Sequence, residues 1–289
     1  MKIMILGANG MLGNAVLRYF ADKTGHEPVG IVRSATAARS LPQSLHASLR
    51  VGGSIEDPDA LTQLFREVRP ELVINCIGVV KQLAAAKDPL NAIPINSVLP
   101  HRLARLCDLV GARLIHLSTD CVFSGRKGMY REEDVPDADD VYGRTKLLGE
   151  VTEPHTLTLR TSIIGHELSS AHSLVDWFLG QEGGVRGFSK AIFSGFPTVE
   201  IARIIDRYVI GNTALHGLYH LSAEPIDKAA LLRLVALQYG KQIEIHDDSS
   251  VVIDRSLDSS PFRSATGFVP EPWPELVRRM HSFQSSMEL

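Results

Sequence analysis

The chain has 289 residues, of which 30 are Lys or Arg and 33 are Asp or Glu, for a formal net charge of −3 at pH 7. This balance excludes a strongly basic nucleic-acid-binding protein and a polybasic membrane binder. No apolar run approaches the ~18 residues of a membrane-spanning helix, and we expect no signal peptide. The three cysteines, Cys76, Cys107 and Cys121, lie far apart. Their odd number and spacing predict a reducing compartment such as the cytoplasm, without a disulfide framework or a cysteine-rich metal site.

The first half of the chain alternates between short apolar runs and apolar residues at helical spacing. The runs are typical of buried parallel strands, and they predict strands at Lys2–Leu6, Val29–Val32, Leu72–Ile77 and Arg113–Leu117. The helical spacing predicts helices from Met11 to Phe20, Pro58 to Val68 and Leu99 to Val110. Strand–helix alternation of this kind predicts an α/β fold of the Rossmann type, with a doubly wound and mostly parallel sheet.

The pattern changes after about residue 165, where Gly and Ser interrupt shorter apolar pieces. The later predicted elements are a helical stripe from Ile201 to Tyr208 that stops at Gly211, a strand at Gly217–Ser222, and helices at Asp227–Tyr239 and about Glu275–Phe283. We therefore predict a Rossmann domain over residues 1–165. Residues 166–289 are predicted to form mainly a smaller α/β lobe, with some later strands and helices returning to the sheet.

The first predicted strand leads into a turn with three glycines at even spacing, Gly7, Gly10 and Gly13. In a dinucleotide site, the first allows a tight turn, the second lets a pyrophosphate approach the backbone, and the third allows close helix–strand packing. The helix that follows offers free N–H groups and the positive end of its dipole. We predict that this turn binds the pyrophosphate of a dinucleotide, the alternative being an ordinary glycine turn.

The end of the second predicted strand bears on which dinucleotide is bound. An NAD site usually carries Asp or Glu there for the ribose hydroxyls. Here Arg33 and Ser34 follow the strand, with Arg39 further along. Because an arginine pairs with a 2′-phosphate that an acid would repel, the sequence favours NADPH. NADH is the alternative if Arg33 is only a solvated surface charge.

A hydroxyl group and a Tyr–Lys pair predict the chemistry. Thr119 follows the fourth predicted strand, and Tyr142 lies 23 residues later, four residues before Lys146 on one side of a helix. Reduction of a ketone needs a proton donor. A lysine cation lowers the pKa of a tyrosine from its ordinary value of ~10, so that the phenol becomes a usable acid–base group near neutrality. The hydroxyl of Thr119 would hold the carbonyl oxygen.

Several segments resemble those of the extended short-chain dehydrogenase/reductases, and more narrowly the dTDP-4-dehydrorhamnose reductase-like family. The similar segments are Ser118–Gly125, Leu159–Ser162, Gly195–Thr198, Gly217–His220 and Arg255–Asp258. The resemblance covers nearly the whole chain. It implies an NADPH-dependent reductase of a nucleotide-linked 4-keto-6-deoxy sugar, active in deoxysugar and surface polysaccharide biosynthesis. In this reading C4 receives a hydride, Tyr142 supplies the proton, the later lobe binds the nucleotide sugar, and the protein is a homodimer.

The resemblance also implies the site residues. The catalytic triad is Thr119, Tyr142 and Lys146. The cofactor would contact Tyr142 and Lys146. It would also contact Gly7, Asn9, Gly10, Met11, Leu12, Arg33, Ser34, Ser54, Ile55, Cys76, Ile77, Gly78, Ser162 and Ile163. The substrate would contact Asp120, Cys121, Val122, Phe123 and Lys81. No metal site is implied.

Two departures from the family leave the sugar open. Cys121 stands where the family usually has Tyr, and the segment after Asn75 lacks the family's usual alanines. The rhamnose precursor on dTDP and a 2-acetamido-6-deoxy hexulose on UDP are therefore both retained.

Other functions also stay open. A nucleotide-sugar epimerase of the same superfamily is one alternative. A 4,6-dehydratase is disfavoured, because Asp120 is followed by Cys121 and not by Glu. A third alternative is a non-catalytic NADP-binding regulatory subunit of another enzyme.

Overall fold

The computed structural model describes residues 1–23, 25–79, 87–168 and 170–285. The strands are β1 Lys2–Leu6, β2 Glu27–Val32, β3 Leu49–Val51, β4 Leu72–Asn75, β5 Arg113–Thr119, β6 Thr156–Thr161, β7 Ile163–Ile164, β8 Gly184–Phe188, β9 Ala191–Phe193, β10 Phe196–Pro197, β11 Gly217–His220, β12 Ile226–Asp227, β13 Glu244–Asp248 and β14 Ile253–Asp254. The helices are α1 Met11–Ala21, α2 Ala35–Arg39, α3 Pro58–Val68, α4 Pro89–Ala92, α5 Leu99–Val110, α6 Val141–Leu148, α7 Leu174–Leu179, α8 Thr198–Ile204, α9 Lys228–Tyr239, α10 Ser260–Thr266 and α11 Trp273–Ser285.

Seven strands form one sheet in the order β11-β6-β5-β4-β1-β2-β3, and every neighbouring pair is parallel. Strands β2 and β3 lie on one side of β1, whereas β4 and the later strands of this sheet lie on its other side. This topological switch point creates a crevice at the carboxyl ends of the strands, where ligands bind in such sheets. The doubly wound parallel fold predicted from the sequence is confirmed.

Helices cover both faces of this sheet, because its strands are apolar on both sides. In β1, Ile3 and Ile5 enter one core with α1 and α8, whereas Met4 and Leu6 enter a second core with α3 and α5. The alternation follows from the two-residue period of a strand. Burial on both faces explains why β1 reads as a continuous apolar run.

Some predictions for the first half were wrong, including the start of β2, which begins at Glu27 and not at Val29. The short edge strand β3 was missed, because only Leu49 of its three residues is buried. The strand before Thr119 is therefore the fifth along the chain, and it extends past Leu117 because its Ser118 and Thr119 still pair with β6. Strand β4 ends at Asn75, not at Ile77, because the Asn75 side chain accepts a hydrogen bond from the Ile77 N–H at 3.1 Å.

The later part of the chain forms small sheets and helices, and β11 returns to the large sheet beside β6. The predicted strand at Gly217–Ser222 ends two residues earlier, at His220, and the last helix starts at Trp273. The predicted stripe spans α8 and a π-helical continuation over Ile205–Val209. The division at residue 165 stays a prediction. Among the described residues, no helix is long and apolar enough to cross a membrane.

Candidate active site

The glycine turn after β1 is built for close backbone approach. Gly7 has a φ of +77°, a conformation that favours glycine. A Cβ on Gly13 would lie 2.1 Å from the Gly7 carbonyl oxygen, so α1 packs directly on the turn. Gly10 precedes α1 without a side-chain cap. The first N–H groups of this helix are thus left for a ligand.

A cleft of about 300 Å³ opens at this turn, at the carboxyl ends of β1, β2, β3 and β4. The structure brings nine of the predicted cofactor residues to it: Gly7, Asn9, Gly10, Arg33, Ser54, Ile55, Cys76, Ile77 and Gly78. It adds five residues that were not predicted: Ile31, Val32, Gly53, Glu56 and Ile95. The first four lie within two residues of predicted positions and could have been named from the strand ends. Ile95 comes from a distant segment, and no local signal marks it.

Other predicted cofactor residues do not line this cleft. On α1, Met11 lines a separate cavity of about 10 Å³, and Leu12 is buried in the core. The Ser34 hydroxyl caps α2 by accepting from the Ala37 N–H at 3.2 Å. The carbonyl oxygen of Ser162 accepts a hydrogen bond from the Phe196 N–H at 2.9 Å.

Two further predicted residues complete this account. Ile163 pairs with Phe196 between β7 and β10. Lys81, predicted at the substrate, lies outside the described residues. The roles of all these residues stay predictions.

Thr119 is the last residue of β5 and is buried. It directly precedes the segment that is predicted to contact the substrate. Its Oγ1 accepts from the Cys121 N–H at 3.1 Å and donates to Asp120 Oδ1 at 3.1 Å. Burial raises the pKa of the Asp120 carboxyl, and the Arg255 charge opposes that rise. Thr119, Asp120 and Cys121 therefore form a hydrogen-bonded polar corner at the end of β5.

Helix α6 carries Tyr142 and Lys146 to this corner. The Asp140 side chain caps the helix by accepting from the Gly143 N–H at 2.7 Å. A Cβ on Gly143 would lie 2.2 Å from the Cys121 carbonyl oxygen. Only a residue without a side chain lets the helix come this close to the segment after Thr119.

The electrostatics of the two helix residues differ from the sequence-based expectation. Burial raises the pKa of Tyr142, a nearby Cys121 adds to the rise, and the Thr119 hydroxyl opposes it. Burial lowers the pKa of Lys146 to about 8, and Glu150 and Cys76 oppose the fall. The Lys146 ammonium does not produce the predicted lowering of the tyrosine pKa. Its Nζ instead donates to the Leu117 carbonyl oxygen at 2.7 Å.

Cys76 connects the cleft with α6, because it lines the cleft and its thiol interacts electrostatically with Lys146. Burial raises the pKa of this thiol to about 12, so it stays neutral near pH 7. The Thr119 hydroxyl contacts the Tyr142 phenol, and Lys146 interacts with the cleft residue Cys76. The catalytic role of the three residues stays a prediction.

The predicted substrate residues divide into two groups. Val122 and Phe123 are fully buried, and the Phe123 ring stacks on Tyr130 with centroids 4.2 Å apart. Their side chains therefore belong to the packed interior next to the end of β5. Cys121 is half-buried and acts on Tyr142 electrostatically, so it lies near the phenol, and its contact with a substrate stays a prediction.

Asn96 is a residue of this region that the sequence analysis missed. It lies in a π-helical segment, Ile93–Val98, before α5. Its Oδ1 accepts from the Val79 N–H at 2.9 Å, and its Nδ2 donates to Thr145 Oγ1 at 3.2 Å. Asn96 therefore ties the rim of the cleft to α6. A buried polar residue in an apolar helical stretch was the signal available for it.

The model of the RmlD substrate-binding domain family matches residues 1–231 of this sequence. The chain belongs to this family. The resemblance inferred from the motifs is thereby confirmed.

Curated relatives match the chain over part of its length. The probable low-salt glycan biosynthesis reductase Agl14 of Haloferax volcanii is 35% identical over 169 residues, which are 57% of this chain and 54% of that protein. Methionine adenosyltransferase 2 subunit beta of Xenopus tropicalis is 32% identical over 149 residues, 52% of this chain and 41% of that protein. The matches span about half the length of these relatives.

Solved structures resemble the whole chain. The dTDP-4-dehydrorhamnose reductase of Bacillus anthracis in complex with NADP has a TM-score of 0.77 and 21% identity, and the match covers 97% of this chain and 98% of that one. At this level of identity the likeness shows the fold.

Proposed function

We propose that this member of the family is an NADPH-dependent reductase of a nucleotide-linked 4-keto-6-deoxy sugar. In the proposed reaction C4 receives a hydride and Tyr142 gives a proton to the ketone oxygen. The observation that carries the proposal is the contact between the Thr119 hydroxyl and the Tyr142 phenol, on the helix whose Lys146 interacts with the cleft residue Cys76. The likeness to Agl14, named as a glycan biosynthesis reductase, supports deoxysugar or surface polysaccharide biosynthesis as the setting.

The cleft fits the proposed cofactor. The uncapped start of α1 behind Gly10 suits a pyrophosphate, and the exposed Arg33 on the same cleft suits a 2′-phosphate. NADH remains the alternative, because Glu56 also lines the cleft. When bound, the cofactor supplies the hydride.

The residues at the end of β5 would supply the other parts of the reaction. Because its pKa is raised, Tyr142 holds its proton through the ordinary pH range and suits proton donation to an oxygen that gains negative charge. Thr119 would orient the ketone oxygen beside the phenol. Lys146 would bind a ribose hydroxyl of the cofactor, and Asp120 and Cys121 would face the sugar.

The decisive assay follows NADPH absorbance with dTDP- and UDP-linked 4-keto-6-deoxy sugars, generated in place by a dehydratase. NADH is run in parallel. NADPH consumption with one sugar is the expected result. A sugar that changes configuration without net consumption of NADPH would replace the reductase with an epimerase.

A non-catalytic NADP-binding subunit is the second candidate. The likeness to methionine adenosyltransferase 2 subunit beta over 149 residues favours it. Tight binding of a partner enzyme, together with no turnover of any keto sugar, would select this candidate.

We also propose a homodimer and a cytoplasmic location. The family resemblance supports the dimer, and the separated cysteines support a reducing compartment. Light scattering after size exclusion and cell fractionation would test the two proposals.

A further inference from the structure

A buried ion pair lies directly behind the catalytic helix. The side chains of Glu150 and Arg160 are 8% and 4% exposed. Arg160 donates from Nε to one carboxylate oxygen at 2.8 Å and from Nη2 to the other at 2.7 Å. Ser118 Oγ also donates to this carboxylate, at 2.7 Å. Because a buried ion pair gains little net stability over apolar packing, its position invites another explanation.

The far side of Arg160 is also fixed. Its Nη1 donates to His220 Nε2 at 3.2 Å, and His220 Nδ1 bonds to the Tyr130 carbonyl oxygen at 3.0 Å. Burial, followed by the Arg160 charge, lowers the pKa of His220 to about 4. His220 is therefore neutral near pH 7, with its proton on Nδ1. The arginine stays directed at Glu150.

Consecutive residues of β5 hold Lys146 and Glu150. Leu117 accepts the hydrogen bond from Lys146 Nζ, and Ser118 donates to Glu150. Glu150 follows Lys146 by four residues and lies two residues beyond the end of α6. Between them, a Cβ on Gly149 would lie 1.9 Å from the Asn96 carbonyl oxygen, so the end of α6 cannot move outward on that side.

The titratable groups that face Lys146 come from three elements. Cys76 follows β4, and its thiol is neutral because burial raises its pKa. His116 lies on β5, and burial, Lys146 and His101 hold its pKa well below the usual range. Glu150 raises the pKa of Lys146. Of these three groups, Glu150 is the one that forms an ion pair, with Arg160.

We propose that Glu150, held by Arg160 and Ser118, is a positioning residue for Lys146. It fixes the end of α6 against β5 and supplies the negative charge that keeps the buried ammonium group protonated. A role for Lys146 in the reaction rests on the proposed function. The effect of Glu150 on the position and charge of the Lys146 side chain does not.

The test titrates Lys146 directly, by NMR of the protein labelled with 13C at lysine Cε and with Lys146→Met to assign the resonance. The wild-type midpoint is expected near pH 8. In Glu150→Gln it should fall by about one pH unit or more, because an opposite charge nearby favours the charged form. In Glu153→Gln, an exposed control on the same segment, it should stay unchanged. An unchanged midpoint in Glu150→Gln would overturn the proposal.

A second readout needs only the wild-type protein and covers the case in which Glu150→Gln does not fold. The 13C carboxyl resonance of Glu150, assigned with Glu150→Asp, should shift at the pH where Lys146 titrates. A resonance that does not respond at that pH contradicts the proposal. Both measurements use the full chain without substrate, so they stay interpretable even if no keto sugar is reduced. If turnover is found, Glu150→Gln should also move the basic limb of kcat/KM to lower pH.

Discussion

Lys146 Nζ donates a hydrogen bond to the Leu117 carbonyl oxygen at 2.7 Å, at the point where α6 packs on β5. Burial lowers the pKa of this ammonium group to about 8. The group is therefore charged below that pH and loses its proton above it. A lysine that binds the cofactor should make cofactor binding sensitive to pH in the same range.

We accordingly expect NADPH affinity to be constant near pH 7 and to fall as the pH rises through about 8. Fluorescence titration of NADPH between about pH 7 and 9.5 measures this. Lys146→Arg should remove the dependence, because a guanidinium stays charged throughout this range. A wild-type affinity that does not change over the range would remove the Lys146 charge from cofactor binding.

Replacement of Tyr142 by Phe removes the proposed proton donor and leaves the ring in place. General acid catalysis is typically worth about 10²–10⁴ in rate, so kcat should fall by that factor while the Kd for NADPH stays within about twofold. Tyr208→Phe, a half-buried tyrosine packed on Phe268, serves as the control and should retain activity. Near-normal turnover in Tyr142→Phe would show that another group donates the proton.

The close contact at Gly143 makes a prediction about stability. In Gly143→Ala the new Cβ would lie 2.2 Å from the Cys121 carbonyl oxygen, so the helix must shift. Overpacking of this kind typically costs about 1–3 kcal/mol, and the shift should also reduce kcat. Gly211→Ala is the matched control, since its Cβ would meet nothing within 4 Å. Urea unfolding of both variants measures the difference, and equal stabilities would contradict the packing argument.

Arg33 should decide between the two cofactors. Arg33→Gln removes a charge from the cleft wall, and a hydrogen bond to a charged group contributes about 1.5–3 kcal/mol. The Kd for NADPH should therefore rise about 10- to 100-fold, with little change for NADH. Arg66→Gln on α3, exposed and away from the cleft, should change neither. If Arg33→Gln weakens both cofactors equally, Arg33 does not contact the 2′-phosphate.

The sequence predicted those parts of the site that depend on residues close together along the chain. The strand, glycine turn and helix from Lys2 to Ala21 follow from one apolar run and the spacing of three glycines. The same holds for Tyr142 and Lys146, whose four-residue spacing puts both on one side of α6. The hydroxyl of Thr119 was found because it follows a recognisable strand.

The missed parts depend on contacts between distant segments. Asn96 joins residues 17 positions before it and 49 positions after it, and nothing in its neighbourhood reveals either partner. The direction of the Lys146 side chain depends on β5, which runs beneath the helix. Spacing alone could therefore place the lysine near the tyrosine but could not predict its hydrogen bond or the effect of burial on both pKa values.

Isotope transfer tests the central claim most directly. The protein is incubated with NADPH deuterated at the transferable position and with the keto sugar that supports turnover, and the product is analysed by NMR and mass spectrometry. The account predicts one deuterium per product molecule, located at C4 of the sugar. Product without deuterium, or with deuterium at a carbon other than C4, would contradict direct reduction of the C4 ketone.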